Sequence, residues 1–273
     1  DGTVAGTKMV TDLYPGFGGS ITTTMNMVVL NSKIYYLATT STTGIELFES
    51  DGTAMGTQLV KDIYPGATSS NPYGLTVYSG KLFFKSADNT NGSELWVSDG
   101  TPGGTSLLKD INPGVAGSQI NSFTVFNGKL YFLATTNAAG QELWETDGTA
   151  MGTVMVKDVY TGANSGVYGD GLIVANGKLF FAGEDAANGV ELWASDGTAT
   201  GTVLVKDIYI SVNGSYPTNF GVYNNKLYFR ASDGTNGYEA WYSDGTGTGT
   251  AMLKDIAAGF LGSDPMAFTH YKK

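Results

Sequence analysis

The sequence predicts an all-β protein, a β-propeller of four-stranded antiparallel blades, and three observations carry that expectation. The tripeptide Asp-Gly-Thr begins at residues 1, 51, 99, 147, 196 and 244, so the chain repeats itself every 48 to 50 residues. Each repeat holds four short apolar or alternating runs, rich in Val, Ile, Tyr, Phe and Thr, separated by turn residues. Nowhere do apolar residues recur at the three-and-four spacing of an amphipathic helix. Four antiparallel strands in a period of about 40–50 residues are the pattern of propeller blades, whereas β-solenoids usually have shorter periods.

Within one repeat the strands can be placed in order. In residues 121–159 the runs lie at 122–126, 129–135, 141–145 and 153–159. Asn127-Gly128 joins the first two, and Asn-Gly between apolar runs is a strong hairpin signal because both residues must take φ > 0. The 137–140 stretch joins the second and third, and Asp147-Gly148-Thr149 begins the connection to the fourth. Five copies of this order are complete, with DGT units starting at Asp1, Asp51, Asp99, Asp147, Asp196 and Asp244 in a single repeat domain over 1–273. A lone fourth-type run precedes them at 7–13, and a lone first-type run follows at roughly 265–271. A six-bladed ring is the expectation, its closing blade incomplete or composite and joining strands from both termini. Missing strands could belong to an unsequenced part of the chain or come from a neighbouring copy, which would make self-association a consequence. Five blades closing by themselves are the alternative. Starting inside a repeat, the chain reads as a processed or excised piece of a longer one.

The recurring blocks ELWVSDGTPGGT, ELWETDGTAMGT, ELWASDGTATGT and EAWYSDGTGTGT, with the looser ELFESDGTAMGT, suggest a cross-strand register. A symmetric loop over 99–104 places Ser98 opposite Thr105, Trp96 opposite Leu107 and Glu94 opposite Lys109. The same register pairs Glu46 with Lys61, Glu142 with Lys157, Glu191 with Lys206 and Glu239 with Lys254, five pairs that would hold strand register. The turn aspartates are expected to accept their own backbone N–H groups while the following Gly takes φ > 0. Calcium is the competing occupant of these turns, but one carboxylate per loop is few for a hard cation. Trp96, Trp144, Trp193 and Trp241, with Phe48 in the divergent unit, read as blade-to-blade packing. Variation concentrates between the second and third strands and before the first strand. Asp88, Asp185 and Asp233 in the first zone, and Tyr73, Tyr168 and Tyr216 in the second, are the candidate ligand-binding residues, since loops on a rigid scaffold commonly bind.

Composition narrows the function classes. The formal charge of −10, from 25 acidic and 15 basic residues, disfavours nucleic acid as a partner. No apolar stretch is long enough for a membrane-spanning helix. There is no Cys, and the lone His270 lies near the end, so neither a Ser/His/Asp nor a Cys/His arrangement can be assembled. Equivalent carboxylates in every repeat single out no glycosidase pair. The expectation is therefore a protein that is not an enzyme, with no metal site and no cofactor.

The ELWxSDGTxxGTxLVKDI block resembles the ELWxxDGT repeat of large bacterial proteins, over essentially the whole chain. Phe48 stands for Trp, Ala240 for Leu and Thr11 for Lys in the divergent copies. The resemblance implies a secreted or cell-surface setting within a long multidomain chain, and it implies no activity or ligand. Two functions stay open. One is a non-enzymatic adhesion module whose repeated loops bind a glycan or surface polymer multivalently. The alternative is a structural subunit, a rigid bead of an extracellular filament, sheath or surface layer.

Overall fold

The protein is described by a computed structural model covering residues 2–16, 19–20 and 27–268, apart from the side chain of Asp170. It is all-β. The described residues form twenty strands in five four-stranded antiparallel sheets, each in simple meander order, the blades of a β-propeller fold. Backbone packing divides the chain into two compact units, Asp1–Asn121 and Ser122–Lys273.

The first unit carries two sheets. One is β1 (Val28–Leu30), β2 (Lys33–Ala38), β3 (Glu46–Ser50) and β4 (Gln58–Lys61). The other is β5 (Tyr73–Tyr78), β6 (Lys81–Asp88), β7 (Gly92–Ser98) and β8 (Ser106–Lys109). The second unit carries three. These are β9 (Asn121–Phe126) to β12 (Val154–Lys157) through β10 (Lys129–Thr136) and β11 (Gly140–Thr146); β13 (Val167–Ala175), β14 (Lys178–Asp185), β15 (Gly189–Ser195) and β16 (Val203–Lys206); and β17 (Thr218–Tyr223), β18 (Lys226–Ser232), β19 (Tyr238–Ser243) and β20 (Ala251–Lys254).

The sequence expectations for turns hold. At Asn127-Gly128 both residues have positive φ, 46° and 74°, which gives the two-residue hairpin a twist matched to its strands. The third strands are buried along both faces, as β3 and β15 show. Trp96 packs with Tyr35, Leu47 and Val60 of the preceding sheet. Trp193 does the same with Tyr131, Leu133 and Val156, and Trp241 with Phe180, Leu192 and Val205. These tryptophans join sheet to sheet, and truncating one to Ala would cost about 3–5 kcal/mol.

Three expectations need correction. Residues 7–13 form no strand, and neither do residues 265–268, while 269–271, His270 and Asp1 lie outside the described residues. The two extra strands that suggested a composite sixth blade are therefore not seen among the described residues. The fourth strands are also shorter than their apolar runs, ending at Lys157 rather than residue 159. The N–H of Val159 turns away to a carboxylate instead of a neighbouring strand.

The third correction concerns register. Trp96 does face Leu107, but the next pair is Leu95 with Lys109, because a bulge adds one residue to the fourth strand. The shift recurs as Leu47–Lys61, Leu143–Lys157, Leu192–Lys206 and Ala240–Lys254. None of Glu46, Glu94, Glu142, Glu191 or Glu239 therefore sits opposite its lysine. Because the displacement is a single residue, each glutamate loses its cross-strand partner and finds others.

Candidate functional site

The glutamates act as latches on the segment leading to the next strand. Glu94 accepts from the N–H of Ile111 at 2.9 Å, the N–H of Asn112 at 3.2 Å and the hydroxyl of Ser118 at 2.7 Å. Glu46 takes the N–H groups of Ile63, Tyr64 and Ser70 with the Ser70 hydroxyl. Glu191 and Glu239 repeat the arrangement with Ser215 and Ser263. Glu142 has Gly166 where the others have serine, so it takes the Gly166 and Val159 N–H groups but no hydroxyl. Burial pushes the carboxyls of Glu46, Glu94 and Glu191 up despite these bonds. It carries Glu142, which lacks the hydroxyl, to about 7. In Glu239 the Ser263 hydroxyl and the N–H donors outweigh burial and leave the carboxyl low. A signal for this role was available in the sequence, since Ser recurs 24 residues after four of the five glutamates.

Three of the lysines staple neighbouring sheets within a unit. Lys61 donates to the Thr105 carbonyl at 2.7 Å, Lys157 to that of Thr202 at 2.7 Å and Lys206 to that of Thr250 at 2.9 Å. Lys157 also lies 5.6 Å over the Trp193 ring, a cation–π contact. Lys109 belongs to the equivalent position, and Lys254 is exposed.

The DGTxxGT turns are equally self-contained. Asp99 accepts from the Thr101 N–H at 2.8 Å and the Thr101 hydroxyl at 2.7 Å, and that hydroxyl accepts from the Gly104 N–H. Ser98 and Thr105 share a 2.7 Å hydrogen bond beneath the loop, so they do face each other. A Cβ at Gly104 would lie 2.0 Å from the Asp99 carboxylate, which explains the second glycine of the motif. These bonds hold the carboxyls of Asp51, Asp99, Asp147, Asp196 and Asp244 below the usual range. Among the described residues no three His, Cys, Asp or Glu side chains converge as a metal site would require.

The loop aspartates proposed as ligand contacts are likewise used by their own turns. Asp88 accepts from the N–H groups of Thr90 and Asn91 and from the Asn91 amide. Asp185 is held by Ala187 and Asn188, and Asp233 by Thr235 and Asn236. They are Asx turns that shape hairpins.

The tyrosines differ. Tyr168 is pushed up to about 12 by burial and by its hydrogen bond with Glu184, with Tyr216 near enough to contribute. Tyr216 is about half exposed, with a positive φ of 49°. Tyr73 lines a cavity of about 340 Å³ in the first unit. Its walls include Leu37, Ile45, Pro72 and Lys85, with Ser70 and Ser93 as polar members. Tyr73 pairs with Lys85 across β5 and β6, and the Lys85 ammonium stands 5.0 Å from the ring centre. Burial pushes the Lys85 pKa down. The residue carrying the cavity's charge was missed at the sequence level because Lys85 sits inside an apolar run, KLFFKSAD.

No family model matches the chain, and no curated protein does. Solved structures do. One is a puromycin hydrolase mutant complexed with PGG, at TM-score 0.51 and 15% identity over 86% of this chain and 37% of that one. Another is from a study of two prolyl endopeptidases, at 0.50 and 14% over 83% of this chain and 33% of that one. An alpha-L-arabinofuranosidase from Clostridium thermocellum matches at 0.35 and 14%, over 86% and 94%. The chain spans only about a third of the length of the first two. At such identity the likeness shows the fold alone. It nevertheless corrects the expectation that this chain is not an enzyme: the similar structures are those of enzymes, so the fold gives no ground for excluding catalysis.

Proposed function

We propose that the chain is a binding module of a secreted or cell-surface protein, with a surface glycan as ligand. Support for the setting comes from the ELWxxDGT resemblance. What carries the binding reading is the contrast between a repeated frame and a variable position within it. Latch glutamates, Trp or Phe and the DGTxxGT turns recur in every sheet. The position occupied by Lys85 holds Leu37, Leu133, Ala182 and Arg230 in the other four. Frame residues largely repeat their contacts, as the five Asp side chains of the DGTxxGT turns do, whereas this position changes in size and charge next to the variable segments. A scaffold with interchangeable contact positions suits ligand recognition. A glycan array probed with the purified chain, with and without calcium, tests the reading. Saturable binding to one sugar class, lost when the segment 69–73 is replaced by that of another repeat, is the expected result. Silence on the array with large assemblies in light scattering would refute it and favour a structural bead.

A further inference from the structure

Arg230 and Lys85 occupy the same strand position in two sheets, and comparing them exposes what the Lys85 cavity lacks. Arg230 is ion-paired with Asp264, reaches the Thr218 hydroxyl at 3.3 Å and stacks 3.5 Å from the centre of the Tyr238 ring. Its carboxylate arrives from the segment 34 residues later in sequence, at a residue with a φ of 49°. The residue 34 positions after Lys85 is Gln119, which has the same φ of 49° but no charge. Lys85 thus has an aromatic neighbour, as Arg230 does, and no carboxylate among the described residues. A half-buried ammonium without a counter-ion is costly, and it becomes favourable when an anion reaches it with a charge-assisted hydrogen bond.

We infer that the Lys85 cavity binds a carboxylate-bearing sugar, a hexuronate residue of an acidic glycan, with the ligand carboxylate supplying the counter-ion that Asp264 provides for Arg230. This rests on the glycan-binding reading and specifies its ligand. The cavity's volume is at the small end of ligand pockets, suited to a single sugar residue rather than a long chain segment. Leu37, Ile45 and Pro72 supply an apolar wall for the C–H face of a pyranose, and Tyr73, about half exposed, stands at its side. With a net charge of −10 the molecule as a whole repels anions, so recognition depends on this local cation.

Calorimetric titration with short galacturonate oligomers, neutral galactose oligomers of equal length, and acetate tests the assignment. The wild-type chain should bind galacturonate at least about tenfold more tightly than either control, and Lys85→Leu should remove that preference. Leucine already occupies this position as Leu37 and Leu133, so the variant is compatible with the fold. Lys85→Arg keeps the charge and should retain the preference, which covers the case in which the leucine variant melts early. The assignment is overturned if Lys85→Leu, shown folded by its melting curve, binds galacturonate like wild type. It is also overturned if acetate binds as tightly as the oligomer, or if galacturonate does not bind. Neutral glycans bound in that last case would leave the broader glycan reading standing, while silence towards every sugar would refute both.

Discussion

The latch glutamates yield a graded prediction, because the same contact is made at different burial. In Glu94→Ala the N–H groups of Ile111 and Asn112 lose their acceptor, and both residues are buried, at 6% and 4% exposure. The fully buried Ser118 hydroxyl keeps only its longer 3.4 Å bond to the Ser93 carbonyl. An unsatisfied buried donor costs about 1–3 kcal/mol, so the two backbone donors amount to roughly 2–6 kcal/mol. Removing a carboxylate that burial already disfavours returns part of this, leaving a net loss of about 3 kcal/mol. Glu239→Ala breaks the corresponding bonds to Ile256, Ala257 and Ser263, but Ile256 is 60% exposed and water can replace the acceptor. That loss should be nearer 1 kcal/mol. Urea denaturation followed by tryptophan fluorescence measures both, from midpoints compared at equal slope. Equal losses, or a larger loss at Glu239, would refute the claim that the glutamates work by satisfying buried backbone donors.

Two further predictions follow from single residues. Glu142 has a folded pKa of about 7 against 4.5 for the free group, so its contribution is fully present below pH 4.5 and lost as pH rises through 7. With solvent screening discounted, this amounts to about 2 kcal/mol between pH 5 and 8. Glu142→Gln should flatten that part of the stability curve, and an unchanged slope would show that Glu142 does not titrate there. In the DGTxxGT turn, Gly104→Ala drives a Cβ to 2.0 Å from the Asp99 carboxylate, whereas Gly103→Ala meets nothing within 4 Å. The first should lose about 1–3 kcal/mol and the second stay within about 0.5 kcal/mol of wild type, as thermal melting will show.

The repeat, the antiparallel blades, the Asn-Gly hairpin and the packing role of the tryptophans were legible in the sequence. Each is written in local chemistry: φ > 0 demands Asn or Gly, and a strand buried on both faces demands a continuous apolar run. The facing of Ser98 and Thr105 and the self-bonded DGT turn were legible for the same reason. What the linear chain could not show was the bulge between Leu95 and Trp96, because one extra residue in a strand leaves its composition unchanged. That single residue separates every glutamate from its expected lysine and delivers the two to different partners, the glutamate to its own connecting segment and Lys61, Lys157 and Lys206 to the next sheet's carbonyl. The candidate cavity was legible only through Tyr73. Lys85 acquires its significance from the residue across the strand pair and from the carboxylate it lacks. Both depend on which side chains the folded sheets bring within reach of one another, and that is a matter of tertiary packing.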